Sequence, residues 1–178
     1  MRKIMKALQK IALIGSIIVL TGCGFHLRGD TPIPPETSTL YLKTSKPYNT
    51  LSKNLRETLT SAGVNLVSFS KDAPVTLQIV SETSGQSIAN IGTNTTTRQY
   101  NLTYVAVYQL TNAAGKIIAG PFTVTENTAL MTTSNEMLSS STTQAQLQEQ
   151  MQQQAAQQIL NVLIAPDTVQ TIRASMGH

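Results

Sequence analysis

The sequence predicts an α+β fold, a two-layer sandwich in which two helices pack on one face of a mostly antiparallel, mixed four-stranded sheet. Three observations predict it. A short strand near residue 40 is followed by an apolar stripe with helical spacing, three longer stretches alternate between apolar and polar residues, and a second helical stripe lies near the end. Because each helix has one apolar stripe, a single sheet face is the simplest surface that buries both.

The first 22 residues are typical of a bacterial secretion signal. Four basic residues lie within the first ten, and the uncharged apolar run 11–20 is too short to span a bilayer. A leucine and two small residues precede Cys23, the only cysteine of the chain, and this pattern resembles the lipobox of bacterial lipoproteins. We therefore expect residues 1–22 to be removed and Cys23 to carry lipid. An ordinary signal peptide with a chance cysteine is the alternative.

Removal of this signal changes the charge of the protein. The whole chain has a formal net charge of +4, but four of its 13 Lys and Arg residues lie in the signal. The mature part keeps nine basic and nine acidic residues, so we expect no general attraction to nucleic acid. Its length, residues 23–178, is usual for one domain.

The first part of the mature chain predicts a tether and then a crossover unit. Glycine and proline residues are frequent in 23–37, which we interpret as a lipidated tether, and Thr39–Lys43 alternates as a strand should. A helix is expected from Pro47 to Ala62, with Leu51, Leu55 and Leu59 in its stripe, Tyr48 near its start and Gly63 at its end. Because 64–69 is again extended, the flanking strands should be parallel and connected in the right-handed sense.

The rest of the chain predicts long strands and a second helix. Alternating residues mark extended segments near 75–80, 96–111 and 116–131, and Asn112–Gly115 is expected to form a hairpin turn. The polar connection 85–97 is either a long loop or the frayed end of a hairpin. From 134 onward, Leu147, Met151, Ala155 and Ile159 give the helical stripe, which favours a solvated helix face over an aggregation-prone glutamine tract. Pro166 is expected to end the domain 38–166, with a flexible tail at 167–178.

Groups that could perform catalysis are few. The two histidines, His26 and His178, lie near the ends of the mature chain, and no metal-ligand spacing or cofactor fingerprint is present. We expect no catalytic residues, no metal and no cofactor. An envelope hydrolase that uses scattered carboxylates such as Glu57, Glu82 and Glu126 is the third-ranked hypothesis.

The stretch Cys23-Gly24-Phe25-His26-Leu27-Arg28-Gly29 is similar to the start of the mature chain in the lipopolysaccharide-assembly lipoprotein family LptE, also called rare lipoprotein B. Gln99–Leu102 and Gln154–Leu160 are also similar to stretches of that family, and the order of elements agrees. The resemblance implies an outer-membrane lipoprotein that plugs the barrel protein LptD and helps it to fold. Gly24 fits this location, because an aspartate at that position commonly marks retention at the inner membrane.

Members of this family are also proposed to bind lipopolysaccharide in transit, and phosphate binding requires arginine or lysine. Arg98 and Lys116 are the best-placed candidates, at opposite ends of adjacent strand segments, although solvated surface charge is the alternative interpretation. The loop 90–97 is uncharged where family members often carry a basic residue. The second hypothesis for the whole protein is a free outer-membrane lipoprotein that binds envelope carbohydrate.

Overall fold

The computed structural model describes residues 33–91, 97–133 and 137–176. The predicted signal peptide, Cys23 and most of the predicted tether lie outside these residues. The described part forms one sheet and three helices, with short 3-10 turns at Pro35–Thr37 and Ser70–Asp72. The elements are β1 (Thr39–Lys43), α1 (Thr50–Ser61), β2 (Asn65–Val67), β3 (Val75–Ile91), β4 (Thr97–Thr111), β5 (Ile117–Thr133), α2 (Met137–Leu163) and α3 (Pro166–Met176).

The sheet has the strand order β2-β1-β3-β4-β5. β1 is parallel to both β2 and β3, whereas the long strands β3, β4 and β5 are antiparallel. The α+β class, the mixed sheet and the parallel strands around α1 are therefore confirmed. The sheet has five strands instead of the expected four, because Asn65–Val67 pairs with β1 at the edge over only three residues.

Helix α1 is capped at its start by a side-chain hydrogen bond and at its end by backbone hydrogen bonds. The Oδ1 atom of Asn49 accepts from the Ser52 N–H, so the helix begins after Asn49 and not at Pro47. At the other end Gly63, at a φ of +92°, donates to Thr60, and the Val64 N–H donates to Leu59. This pair of bonds is a Schellman motif, which confirms the predicted role of Gly63.

Two hairpins join the long strands. Asn112 and Lys116 bond to each other through their backbones, which confirms the predicted turn at Asn112–Gly115. Strand β3 continues to Ile91 and pairs with β4 along its length, so the polar segment after Gly85 belongs to a hairpin and not to a long loop. A bulge between Ile79 and Ser81 shifts the register of β3, and Glu82 then faces the same side as Ile79.

The core lies between the sheet and the helices. The predicted inward residues of β4 are confirmed as buried: Leu102, Tyr104, Ala106, Tyr108 and Leu110. The stripes of α1 (Leu51, Leu55, Leu59) and α2 (Met151, Ala155, Ile159) are buried in the same cluster, side by side on one face of the sheet. Tyr48 is 98% exposed and is not part of the stripe. None of the described helices combines the length and apolarity needed to cross a membrane.

The C-terminal segment differs from the prediction. Residues expected to form a flexible tail form helix α3, in which Thr168, Val169 and Ile172 are buried. Helix α2 ends at Leu163, shortly before Pro166, as the sequence predicts, but Pro166 then begins a new helix, because proline fits a first turn, where no backbone N–H is needed. Arg173 of α3 forms an ion pair with Glu36 at 2.6 Å, which joins the helix to the first described turn. The folded domain therefore extends past Pro166.

Candidate interaction surfaces

Among the described residues between 83 and 131, the face of the long strands that points away from the helices carries no charged side chain. We call it the uncharged face. It consists of Thr83, Gly85 and Ser87 of β3, Gln99, Asn101, Thr103, Val105 and Val107 of β4, and Thr123, Thr125, Asn127, Ala129 and Met131 of β5. Strand alternation produces it, because every second residue of β4 is buried against the helices.

Hydroxyl and amide groups dominate this surface. The Thr103 hydroxyl donates to Asn127 Oδ1 at 2.8 Å across the β4–β5 pair. Just beyond the face, Gln109 donates to Gln78 at 3.3 Å across the β3–β4 pair. A shallow groove of about 350 Å³ runs beside Thr103 and Asn127. Along β5 the face extends roughly 27 Å, with Met131 70% exposed near one end. It is a long surface that can exchange hydrogen bonds without desolvating ions.

A partly buried polar network lies on the opposite side, beneath the helices. Glu82 of β3 accepts two bonds from the Asn49 amide, at 2.9 and 2.7 Å, and one from the Tyr104 hydroxyl at 2.8 Å. Burial of the phenol raises the pKa of Tyr104 far above its usual value, and the hydrogen bond and charge of Glu82 add to this effect. Because Asn49 also caps α1, the network fixes the start of that helix on the sheet.

The three carboxylates considered for hydrolase chemistry have separate partners. Glu82 belongs to the network above, Glu126 accepts a hydrogen bond from Gln158 of α2, and Glu57 lies 4.0 Å from Lys53 on the exposed side of α1. The described residues contain no group of three or more His, Cys, Asp or Glu that could hold a metal ion. Each of the three carboxylates therefore contacts a different partner.

The structure places Arg98 and Lys116 where the sequence predicted them, at opposite ends of the long strands. Arg98 pairs with Ile91 and Thr132 near the start of β4, and Lys116 lies in the turn after its end. Both are exposed, and Arg98 and Thr111 are thirteen positions apart on β4, which is roughly 43 Å. They cannot hold the same phosphate group. Their role in binding lipopolysaccharide stays a prediction.

Two features of the structure were not predicted from the sequence. The Glu36–Arg173 pair joins residues that are 137 positions apart, and no local pattern indicates such a contact. The spacing of Thr168, Val169 and Ile172 after Pro166 was a usable signal for α3, because these residues fall on one helical face.

Comparison with known proteins assigns the family. The model of the family described as LptE, lipopolysaccharide-assembly, matches residues 37–163. The LPS-assembly lipoprotein LptE of Yersinia enterocolitica is 37% identical over 89 residues, which cover 49% of this chain and 42% of that protein. That of Yersinia pestis strain Pestoides F is 37% identical over 81 residues, or 44% and 39% of the two chains. The alignments thus span less than half the length of these relatives.

Solved structures show the same fold. The rare lipoprotein B of Shewanella oneidensis superposes with a TM-score of 0.62 at 20% identity, covering 79% of this chain and 99% of that one. The lipoprotein B of Nitrosomonas europaea gives a TM-score of 0.66 at 22% identity, covering 80% and 91%. Because the family model covers most of the folded domain, the chain belongs to the lipopolysaccharide-assembly family LptE.

Proposed function

We propose that this protein is a non-enzymatic outer-membrane lipoprotein that plugs an LptD-type β-barrel and assists its assembly for lipopolysaccharide transport. Membership of the lipopolysaccharide-assembly family supports the broad role. The partner and the location are what the resemblance to that family implies, and the surface of the protein and the residues around Cys23 support them.

The uncharged face carries this proposal. The lumen of a large outer-membrane barrel is polar, and a plug must exchange hydrogen bonds with it. A face made of hydroxyl, amide and small side chains can do so, whereas an unpaired charge buried in the interface would cost several kcal/mol. This surface lies on strands held by the core, so its geometry is fixed before a partner binds.

The test is a pull-down of the tagged, lipidated protein from detergent-solubilised outer membranes. We expect one large β-barrel protein in equal amount. Thr103→Lys places a charge in the middle of the uncharged face and should reduce recovery of the barrel at least about tenfold. Gln153→Lys, at an exposed position on α2, is the matched control and should leave recovery unchanged. Absence of a barrel, or equal recovery with both variants, would contradict the proposal.

The anchor is proposed to be lipid on Cys23, after export and removal of residues 1–22. The apolar run 11–20 and the single cysteine directly after it support this step. Growth with radiolabelled palmitate should label the wild-type protein, and Cys23→Ser should abolish the label. Label that persists in the serine variant would show that the lipid is attached elsewhere.

Arg98 and Lys116 are proposed as two separate contacts with lipopolysaccharide, because their distance rules out a shared phosphate. Arg98→Gln and Lys116→Gln should each reduce the lipopolysaccharide that copurifies with the protein, and their combination should reduce it further. An unchanged amount in the double variant would assign both residues to solvated surface charge.

The second candidate is a free lipoprotein that binds envelope carbohydrate. A groove of about 470 Å³ between the exposed sides of α1 and α2 favours it, since Asn54, Glu57, Gln153 and Gln157 line the groove with groups that bond sugar hydroxyls. This candidate predicts a monomer after detergent extraction and saturable binding of soluble glycan fragments. Gln153→Ala and Gln157→Ala should weaken that binding.

A further inference from the structure

A third groove lies at the edge of the sheet opposite β5, where β2 ends early. β2 pairs with β1 only over Thr39–Tyr41, so the following residues of β1 are unpaired on that side. The opening has a volume of about 530 Å³ and we call it the β1–α1 groove. It is lined by Tyr41, Leu42, Lys43, Thr44, Pro47, Arg56, Leu66, Val67 and Ser68.

Two basic side chains line this groove, and no carboxylate lines it with them. Lys43 and Arg56 both line it, no acidic residue does, and neither takes part in an ion pair within the described residues. The Arg56 guanidinium is held at the wall because Nη1 donates to the Pro47 carbonyl at 2.7 Å and more weakly to the Ser52 carbonyl at 3.4 Å. Its remaining N–H groups form a fork suited to a phosphate.

The surrounding charge strengthens the attraction for an anion. The segment 43–71 contains five of the nine basic residues that follow Cys23 but only one acidic residue, Glu57. Glu57 lies beside Lys53 on α1 and is not part of the groove. A local surplus of positive charge around a concave site raises the concentration of anions there.

Part of the wall of the groove is apolar. Leu42 and Leu66 are partly buried and pack against the core, and Val67 is also half-buried. Their outer surfaces line the opening together with the rings of Tyr41 and Pro47. A bare inorganic anion would leave this wall in contact with water, whereas a ligand with an attached hydrocarbon chain would cover it.

We infer that the β1–α1 groove binds a phosphate monoester or diester that carries an apolar chain, as lipid headgroups do. The phosphate lies between Lys43 and Arg56, and the start of the chain lies against Leu66 and Val67. The site does not depend on a barrel partner, and it includes neither Arg98 nor Lys116. The shared chemistry is an acyl-linked phosphate, whether it comes from a glycolipid or from a phospholipid.

The test uses the full lipidated protein in an uncharged detergent, with hexyl phosphate as the probe and ³¹P NMR as the readout. Hexyl phosphate should bind about tenfold more tightly than inorganic phosphate, because part of its chain leaves water. Lys43→Gln should weaken binding about fivefold, which is typical of a partly exposed charge pair, and adding Arg56→Gln should weaken it further. The matched control is Lys53→Gln with Lys71→Gln, which removes two nearby cations outside the groove.

Thermal unfolding of every variant checks that the fold is intact, and Arg56→Lys keeps the charge if Arg56→Gln disturbs α1. Equal weakening in the groove and control variants would overturn the inference, since only general charge would then act. Equal affinity for hexyl and inorganic phosphate would also overturn it. Competition by glucosamine 1-phosphate assigns the site to a glycolipid phosphate, and competition by glycerol 3-phosphate assigns it to a phospholipid headgroup.

Discussion

Replacing Ile172 by alanine measures how much the C-terminal helix contributes to stability. The Ile172 side chain is fully buried in the core cluster, in a segment expected from the sequence to be flexible. The change removes three carbon atoms, which is worth about 2.4 kcal/mol of transfer free energy at roughly 0.8 kcal/mol per group. The cavity that remains adds to this, so we expect a loss of about 3 kcal/mol in the free energy of unfolding.

This loss is a large share of the roughly 5–15 kcal/mol by which a domain is stable. For an ordered region of this size it corresponds to a fall of roughly 6–12 °C in Tm. The assay is urea and thermal unfolding of the detergent-solubilised protein, followed by circular dichroism. Gln170→Ala, on the exposed side of the same helix, is the control and should change stability by less than about 0.5 kcal/mol. If both variants unfold at the same midpoint, α3 does not pack on the core.

Three further predictions concern single sites. Burial raises the pKa of Tyr108 to about 12 from a usual value of 10.0. The neutral phenol therefore stabilises the fold below pH 10, and this contribution is lost as the pH rises to 12. Tyr108→Phe should flatten that part of a curve of unfolding free energy against pH. Gly120 has a φ of +98°, and an added Cβ would lie 3.1 Å from a backbone nitrogen. Gly120→Ala should therefore lower the free energy of unfolding, measured by chemical denaturation, by about 1–3 kcal/mol. Gly85→Ala is the control and should be nearly neutral, because the space around Gly85 is open. Backbone hydrogen bonding and Arg173 lower the pKa of Glu36 below 4.5. The ionised carboxylate therefore contributes to stability above that pH, and this contribution is lost on further acidification. Glu36→Gln should remove this loss when the free energy of unfolding is measured against falling pH.

Much of the fold could be predicted from periodicity alone. The stripe of α1 and the alternation of β4 each have one strongly apolar side, and burial follows directly from that. The hairpin at Asn112–Gly115 was predictable for a different reason, because its residues form a turn locally. Edge strand β2 was harder, since three residues give too short a pattern to separate a strand from a loop.

The site-level features were less predictable because they depend on contacts distant in sequence. The bulge after Ile79 reverses which residues of β3 face inward, and it brings Glu82 to Tyr104 and Asn49. Simple alternation cannot show such a shift. The β1–α1 groove likewise depends on where β2 stops, so Lys43 and Arg56 line one opening only in the folded chain.

The two proposed surfaces can be tested independently because they lie apart on the sheet. The β1–α1 groove is beside the β1–β2 edge, and β1 pairs with β3 only over residues 75–78. The uncharged face begins at Thr83 of β3 and is centred on β4 and β5. Two strand spacings separate β1 from β4, or roughly 10 Å, and Thr103 lies further along the strands than Lys43. Lys43→Gln should therefore weaken hexyl phosphate binding and leave recovery of a barrel unchanged, while Thr103→Lys should do the reverse. A variant that reduced both would contradict the independence of the two surfaces and would show that the partner contacts the groove.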